Sequence, residues 1–344
     1  MGDAIPSVSS DRPPTRASAD TSVDMAAPTS AGVGPARPRV AAWRVWLRTA
    51  RPVTLAAAVS PILVGTALAG YQGAFSGRDL GRHWLLFAIT LLAGVLLQVG
   101  VNYFNEYFDH RYGLDTAQSL GASTVIFRGE MTSGQVFGCG VASFALATAL
   151  GIALIALVGP AIILFGLAAL LIGYFYSARP FALASRGLGD IMVYLAMGFL
   201  MTWGAYYVQL RQWSWVAFAA SVPVGLLVTA ILNMNNVRDY QDDLAVGKQT
   251  LPVRFGLPFG RRYHAALLYG AYVTTTVFVI GRLLPWPTLL VWLTFPLAYA
   301  NVRSVLTATG RKAYIAATPR TAQLHLLFGV ALALGALVAT LAHV

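Results

Sequence analysis

Apolar runs of about twenty residues recur along the chain, at 53–71, 84–105, 134–157, 160–177, 188–209, 213–234, 262–281, 285–302 and 322–341. A helix rises 1.5 Å per residue, so runs of this length match a hydrocarbon core about 30 Å thick. Inside that core every backbone amide and carbonyl must find its partner within the chain. Long uninterrupted apolar runs meet that demand as helices. The expected fold is therefore an all-α integral membrane protein of about nine transmembrane helices. The composition, 57% hydrophobic and 11% charged, excludes an ordinary soluble enzyme.

The remaining length leaves little room for a second folded domain, so residues 41–344 are expected to form one membrane domain. Residues 1–40 are rich in Pro, Ala, Ser, Thr and Gly and lack the apolar core of a cleavable secretory signal. They are expected to be a disordered tail. The single cysteine, Cys139, lies in an apolar run, which argues for packing and against a disulfide or thiolate metal site.

The net charge of +11 invites a nucleic-acid partner, but the distribution of Lys and Arg points elsewhere. Eighteen fall between Arg37 and the first run or in and at the edges of the connections that follow even-numbered runs, against four (Arg78, Arg82, Arg211 and Arg282) in the other connections. That bias is the positive-inside pattern of a multi-pass protein. It predicts a cell (inner) membrane location with the N-terminus and these basic loops in the cytoplasm, and the C-terminus outside. No basic groove interleaved with aromatics suggests nucleic acid, and the lipid bilayer is the expected partner of the apolar faces.

Polar residues concentrate where two runs end. The second closes with Gln98, Asn102, Asn105 and Asp109 at i, i+4, i+7 and i+11, one stripe of a helix. Gly113 then permits a sharp turn that would bring Asp115 back toward Asp109. The sixth closes with Asn235, Asn236, Arg238, Asp239, Asp242 and Asp243, followed by Gly247 and Lys248. Asn235, Asp239 and Asp243 again share a face, from which Asp242 points aside. Seven of the thirteen acidic residues follow these two runs. Polar groups at membrane depth must face something polar. Carboxylates without cysteine select a hard cation, and Mg²⁺ completes its octahedron with water and phosphate oxygens. Two such faces opposed to one another would hold a diphosphate through Mg²⁺. Arg51, Arg111, Arg128, Arg238 and Lys248 are candidates to neutralise its charge. Tyr103, Phe104, Tyr107 and Phe108 interleave with the stripe, mostly as packing residues, although ring faces also shield carbocations.

From Arg51 onward these motifs resemble the UbiA superfamily of intramembrane aromatic prenyltransferases, and within it the enzymes of menaquinone synthesis that act on 1,4-dihydroxy-2-naphthoate. The likeness rests on Arg51-Pro-Val-Thr54, Gln98-x3-Asn102-x2-Asn105-x3-Asp109-x5-Asp115, Tyr176-x3-Pro180, Arg186-Gly-Leu-Gly189 and Asn235-Asn-x-Arg-Asp-x3-Asp243-x3-Gly247-Lys248-x-Thr250. It implies a helical bundle around a central cavity, a polyprenyl diphosphate donor, an aromatic acceptor and Mg²⁺. Matched residue by residue, it gives Asn105, Asp109, Asp239 and Asp243 to the metal, with Asp115 assisting the metal or the acceptor. Arg51, Arg128 and Lys248 contact the diphosphate, joined by Asn102, Asn235, Asn236 and Arg238. Pro180 stands where other branches carry a lysine, a role open to Arg179 or Arg186. Other acceptors, such as 4-hydroxybenzoate, homogentisate or a chlorin, remain alternatives, as does a transporter with a polar midplane site.

Overall fold

The computed structural model describes residues 41–77, 79–114 and 124–342, all of them in helices, turns and connections, with no strand. Helix α1 (Ala42–Ala50) meets α2 (Pro52–Tyr71) at Arg51, whose left-handed backbone (φ 53°) breaks the two apart; Pro52 suits the first turn of α2 because it needs no amide partner there. Then follow α3 (Leu80–Arg111), α4 (Ser133–Val158), α5 (Ile162–Phe175), α6 (Gly189–Leu210) and α7 (Trp215–Arg238). Two short helices, α8 (Tyr240–Ala245) and α9 (Leu251–Phe255), precede α10 (Leu257–Ile280), α11 (Trp286–Leu306) and α12 (Arg311–Ala342).

Local signals set several of these limits. Thr132 caps α4 reciprocally: its Oγ1 accepts from Gln135 N–H, and Gln135 Oε1 accepts from Thr132 N–H. Ser214 Oγ accepts from Val216 N–H to start α7. Pro285 and Pro287 accompany a tighter three-residue winding over Trp286–Thr294, the opening of α11. A wider-wound stretch, Tyr194–Leu200, lies inside α6.

Eight of the helices are long and apolar enough to cross a bilayer, so the chain is a multi-pass membrane protein. The fourth expected run, 160–177, corresponds only to α5, whose 14 residues cover about 21 Å. Pro160 lacks an amide hydrogen and the chain turns at Ser177 towards α3, so the apolar run is longer than the helix it forms.

α2, α7 and α12 form the centre, with 67%, 67% and 56% of their apolar windows buried, whereas α4, at 22%, turns most of its surface outward. The centre is fastened by interhelical hydrogen bonds of the kind that replace hydrophobic driving force in lipid. Ser60 Oγ of α2 donates to the His325 carbonyl of α12 (3.3 Å), and Asn301 Nδ2 of α11 donates to Thr321 Oγ1 of α12 (3.0 Å). Small residues let backbones meet: a Cβ on Gly198 of α6 would press into the Gly225 backbone of α7. These contacts leave α3, α5, α6 and α7 around a cavity of about 690 Å³.

Candidate functional site

The expected stripe of α3 does face this cavity: Gln98, Asn102, Asn105 and Asp109 all line it. So do Asn235, Asn236, Arg238, Asp239, Asp242 and Asp243 from the end of α7 and from α8. The helix axis is interrupted at Asp239, yet Asp239 N–H still donates to the Asn235 carbonyl (2.9 Å) and Asp243 N–H to that of Asp239 (2.8 Å). The i→i−4 pattern therefore carries the acidic face across the break. Thr90 to Asp109 of α3, about 28 Å of helix, lines the same cavity, polar at the Asp109 end and apolar along Leu97, Met197, Leu200 and Val208.

Gly247, with φ 72°, adopts a left-handed conformation that suits glycine, and turns the chain back after α8. Lys248 N–H then donates to the Asp243 carbonyl (2.9 Å). Its Nζ lies 3.3 Å from Asp109 Oδ2 and 3.9 Å from Asp243 Oδ1. One ammonium thus reaches carboxylates of both segments. Asp243 is buried and accepts weakly from Thr250 Oγ1 (3.4 Å). Burial, reinforced by the Asp239 and Asp109 carboxylates, pushes the Asp243 carboxyl up to about 7 against the opposing pull of Lys248 and Thr250.

The other acids are paired as well. Arg238 grips its neighbour Asp239 with two hydrogen bonds, Nε to Oδ1 at 2.8 Å and Nη2 to Oδ2 at 2.5 Å. Arg311, from the first turn of α12, pairs with Asp242 and stands 3.8 Å from Asp239. Asp242 therefore looks towards Arg311, as its position off the common face implies. Asn105 Oδ1 accepts from Ser177 Oγ, just after α5. Among the described residues, no three His, Cys, Asp or Glu side chains are grouped closely enough to hold a metal by themselves. An ion held here would complete its shell with oxygens of water and substrate, which suits Mg²⁺ better than a closed protein cage.

Arg51 lines the cavity beside this site, and its Nε is buried without a protein hydrogen-bond partner. Asn102 holds the junction that carries it. Its Nδ2 donates to the Ala50 carbonyl (2.7 Å) and to Thr54 Oγ1 (3.0 Å), and its Oδ1 accepts from Gln98 (3.3 Å). Both amide hydrogens are engaged within the protein, at the junction that carries Arg51. Arg128 is exposed and is not among the described residues that line the cavity. Its turn is held by buried Glu106, whose Oε1 accepts from Val125 N–H (2.7 Å) and Ile126 N–H (3.3 Å). Arg111 instead donates to Tyr107 OH (2.9 Å). Asp115 lies outside the described residues.

The aromatics of α3 are packing residues. Phe104 contacts Phe137, Phe144 and Tyr174, Tyr107 lies against Phe137, and none of Tyr103, Phe104, Tyr107 and Phe108 lines the cavity. Tyr176 does. Two cations near the site were not singled out from sequence: Arg48, which lines the cavity and pairs with Glu130, and Arg311. Both sit in helix termini whose approach to the site is a long-range event without a local signal.

Residues 58–318 match the model of the UbiA prenyltransferase family. The 1,4-dihydroxy-2-naphthoate octaprenyltransferase of Bacillus subtilis is 32% identical over 295 residues, covering 86% of this chain and 92% of the relative. The enzyme of the same name from Haemophilus influenzae is 35% identical over 265 residues, 74% and 83% of the two chains. Among solved structures, a UbiA homolog from Archaeoglobus fulgidus bound to GPP and Mg²⁺ superposes with a TM-score of 0.54 at 18% identity, covering 84% of this chain and 99% of that one. At that identity the likeness concerns the fold.

Proposed function

The chain belongs to the UbiA prenyltransferase family, and from that premise we propose that it transfers a polyprenyl group from polyprenyl diphosphate to 1,4-dihydroxy-2-naphthoate, a step of menaquinone biosynthesis. The reading is carried by one observation: Lys248 reaches Asp109 and Asp243, so two acidic segments converge at the polar end of a long apolar cavity. Such a cavity suits a donor with a charged head and an isoprenoid tail. The names of the relatives support the acceptor.

Asn105, Asp109, Asp239 and Asp243 would hold Mg²⁺, whose donor set of hard oxygens they match. Bound there, the ion would supply positive charge to a departing diphosphate. Arg51, Arg238 and Lys248, with the amides of Asn235 and Asn236, orient the diphosphate and neutralise it. The allylic C1–O bond breaks, and the electron pair leaves with the diphosphate. The electron-rich ring carbon that bears the carboxylate bonds to C1. The C–CO₂⁻ bond then breaks, its electron pair restores aromaticity, and CO₂ departs. The product is the reduced form of demethylmenaquinone. No proton is removed from the reacting carbon, so no strong base is required there; what the apolar walls contribute is exclusion of water from the carbocation.

The distribution of Lys and Arg supports placing the polar end on the cytoplasmic side of the cell membrane. A test uses purified protein in detergent with radiolabelled polyprenyl diphosphate, Mg²⁺ and a panel of aromatic acids. The expected result is Mg²⁺-dependent prenylation of 1,4-dihydroxy-2-naphthoate with release of CO₂, abolished in Asp109→Ala and Asp243→Ala variants that remain folded. Preference for 4-hydroxybenzoate or homogentisate would reassign the acceptor. No Mg²⁺-dependent product from any acceptor would overturn the enzymatic reading.

A further inference from the structure

A second cleft, of about 720 Å³, adjoins the main cavity, and the two share Leu114, Ser185 and Lys248. Its remaining wall carries Tyr112, Arg179 and Arg186, none of which the mechanism above employs. Among the described residues its lining holds three cations and no Asp or Glu, and no salt bridge engages Arg179 or Arg186. A cationic recess of this kind is suited to an anion.

Arg179 is built into place. Its guanidinium carbon lies 4.4 Å from the centre of the Tyr112 ring, and its backbone N–H donates to Tyr112 OH (3.0 Å). The Tyr112 ring is itself stacked on Phe108, with centroids 5.6 Å apart at 18°. Arg186 closes the one-turn helix Leu183–Arg186; its carbonyl accepts from Arg254 Nη2 (2.7 Å), and Gly187 turns the chain at φ 76°. Backbone contacts thus fix both arginines and leave their guanidinium groups for a ligand. A guanidinium presents a planar pair of donors that matches a carboxylate.

The position of the cleft narrows the ligand. A diphosphate bound between the acidic segments meets Lys248 from the main cavity, and a molecule in the cleft borders the same Lys248. Resting on the prenyltransferase reading, we propose that this cleft receives the aromatic acid acceptor, with Arg179 and Arg186 binding its carboxylate and the opening past Lys248 presenting the ring to C1 of the donor. The donor's apolar tail and the charged acceptor then occupy different compartments of the protein, one along the apolar cavity and the other open to water.

The test compares wild type with the Arg179→Gln/Arg186→Gln double variant in lipid nanodiscs. KM for 1,4-dihydroxy-2-naphthoate is measured at saturating donor, and KM for the donor separately. The expected result is an increase in the acceptor KM on the order of 30-fold, from loss of two charge-assisted hydrogen bonds, with donor KM unchanged. The Arg179→Lys/Arg186→Lys variant should recover part of the loss, because charge remains while the planar fork is gone. Mg²⁺-dependent binding of a fluorescent polyprenyl diphosphate analogue checks that each variant is folded. An acceptor KM within about twofold of wild type would overturn the proposal, as would equal losses for donor and acceptor. A wild-type enzyme that prenylates no aromatic acid at all would instead bring down the underlying reading, and this proposal with it.

Discussion

Lys248 Nζ stands 3.3 Å from Asp109 Oδ2, joining residues 139 positions apart in the chain. The contact is part-buried and lies where the acidic ends of α3 and α8 converge. In that position a fixed positive charge acts on both carboxylates and, in the proposed reaction, would meet a departing diphosphate. Lys248→Ala is expected to lower kcat/KM by about 100-fold or more, because a preorganised cation is lost where negative charge develops. Steady-state rates check this, and a loss under about fivefold would remove Lys248 from the transition state.

Metal binding should depend on pH through Asp243. Burial pushes its carboxyl up to about 7 against the pull of Lys248, with Asp239 and Asp109 adding to the rise. Below that pH the group carries a proton that a cation must displace; above it the carboxylate is ready to bind. The sign is therefore of affinity rising with pH. Between pH 6 and pH 8 the apparent Mg²⁺ Kd should fall about tenfold, with proton release on binding at the acid end. Calorimetry in buffers of different ionisation enthalpy measures both, and a flat pH dependence without proton release would refute the assignment.

Asn102→Leu should act through the α1–α2 junction. The substitution removes donors from the Ala50 carbonyl and Thr54 Oγ1, and stability should fall by about 1–2 kcal/mol. The freed junction carries Arg51, so donor KM should rise while kcat at saturating donor changes less. Thermal unfolding in detergent together with donor titration provides the comparison. A fall in kcat with donor KM unchanged would favour direct contact between Asn102 and the reacting groups.

At the crossing of α6 and α7, Gly198→Val places branched carbon against the Gly225 backbone. The helices have to separate, at a loss of about 1–3 kcal/mol. Both also line the cavity, through Met197 and Met201 on one side and Val228 and Ile231 on the other. Donor KM is therefore expected to change as well. Thermal unfolding and donor titration read the two effects, and a wild-type melting temperature would show that the contact is not tight in the membrane.

The parts of this site that depend on local periodicity are legible in the sequence. Gln98, Asn102, Asn105 and Asp109 share a wall because a helix repeats every 3.6 residues, and the same rule groups Asn235, Asp239 and Asp243. Gly247 likewise marks the reversal that returns Lys248 to Asp243. Long-range geometry is not encoded so openly. Arg311 reaches Asp242 across 69 residues, and nothing near Arg311 marks that approach. Arg128 has a suitable charge, but its turn is directed by Glu106, itself a buried acid that binds backbone amides. Asn102 shows the same limit at finer scale: periodicity gives its face, while its partners in α1 and α2 give its task.

Helix α5 has a further consequence. Ile163, Leu164, Leu167 and Leu171 are exposed on its outer surface, while Phe165, Ala169 and Ile172 line the cavity. One short helix therefore separates donor space from surrounding lipid. Its 14 residues span about 21 Å beside a hydrocarbon layer about 30 Å thick, a mismatch that bilayers relieve by thinning or by tilting the helix. Reconstitution in phosphatidylcholines of increasing acyl length should therefore change donor KM, and a constant value across the series would disprove the coupling. Membrane thickness would then be a control variable for the proposed reaction, felt at the same partition that walls the cavity.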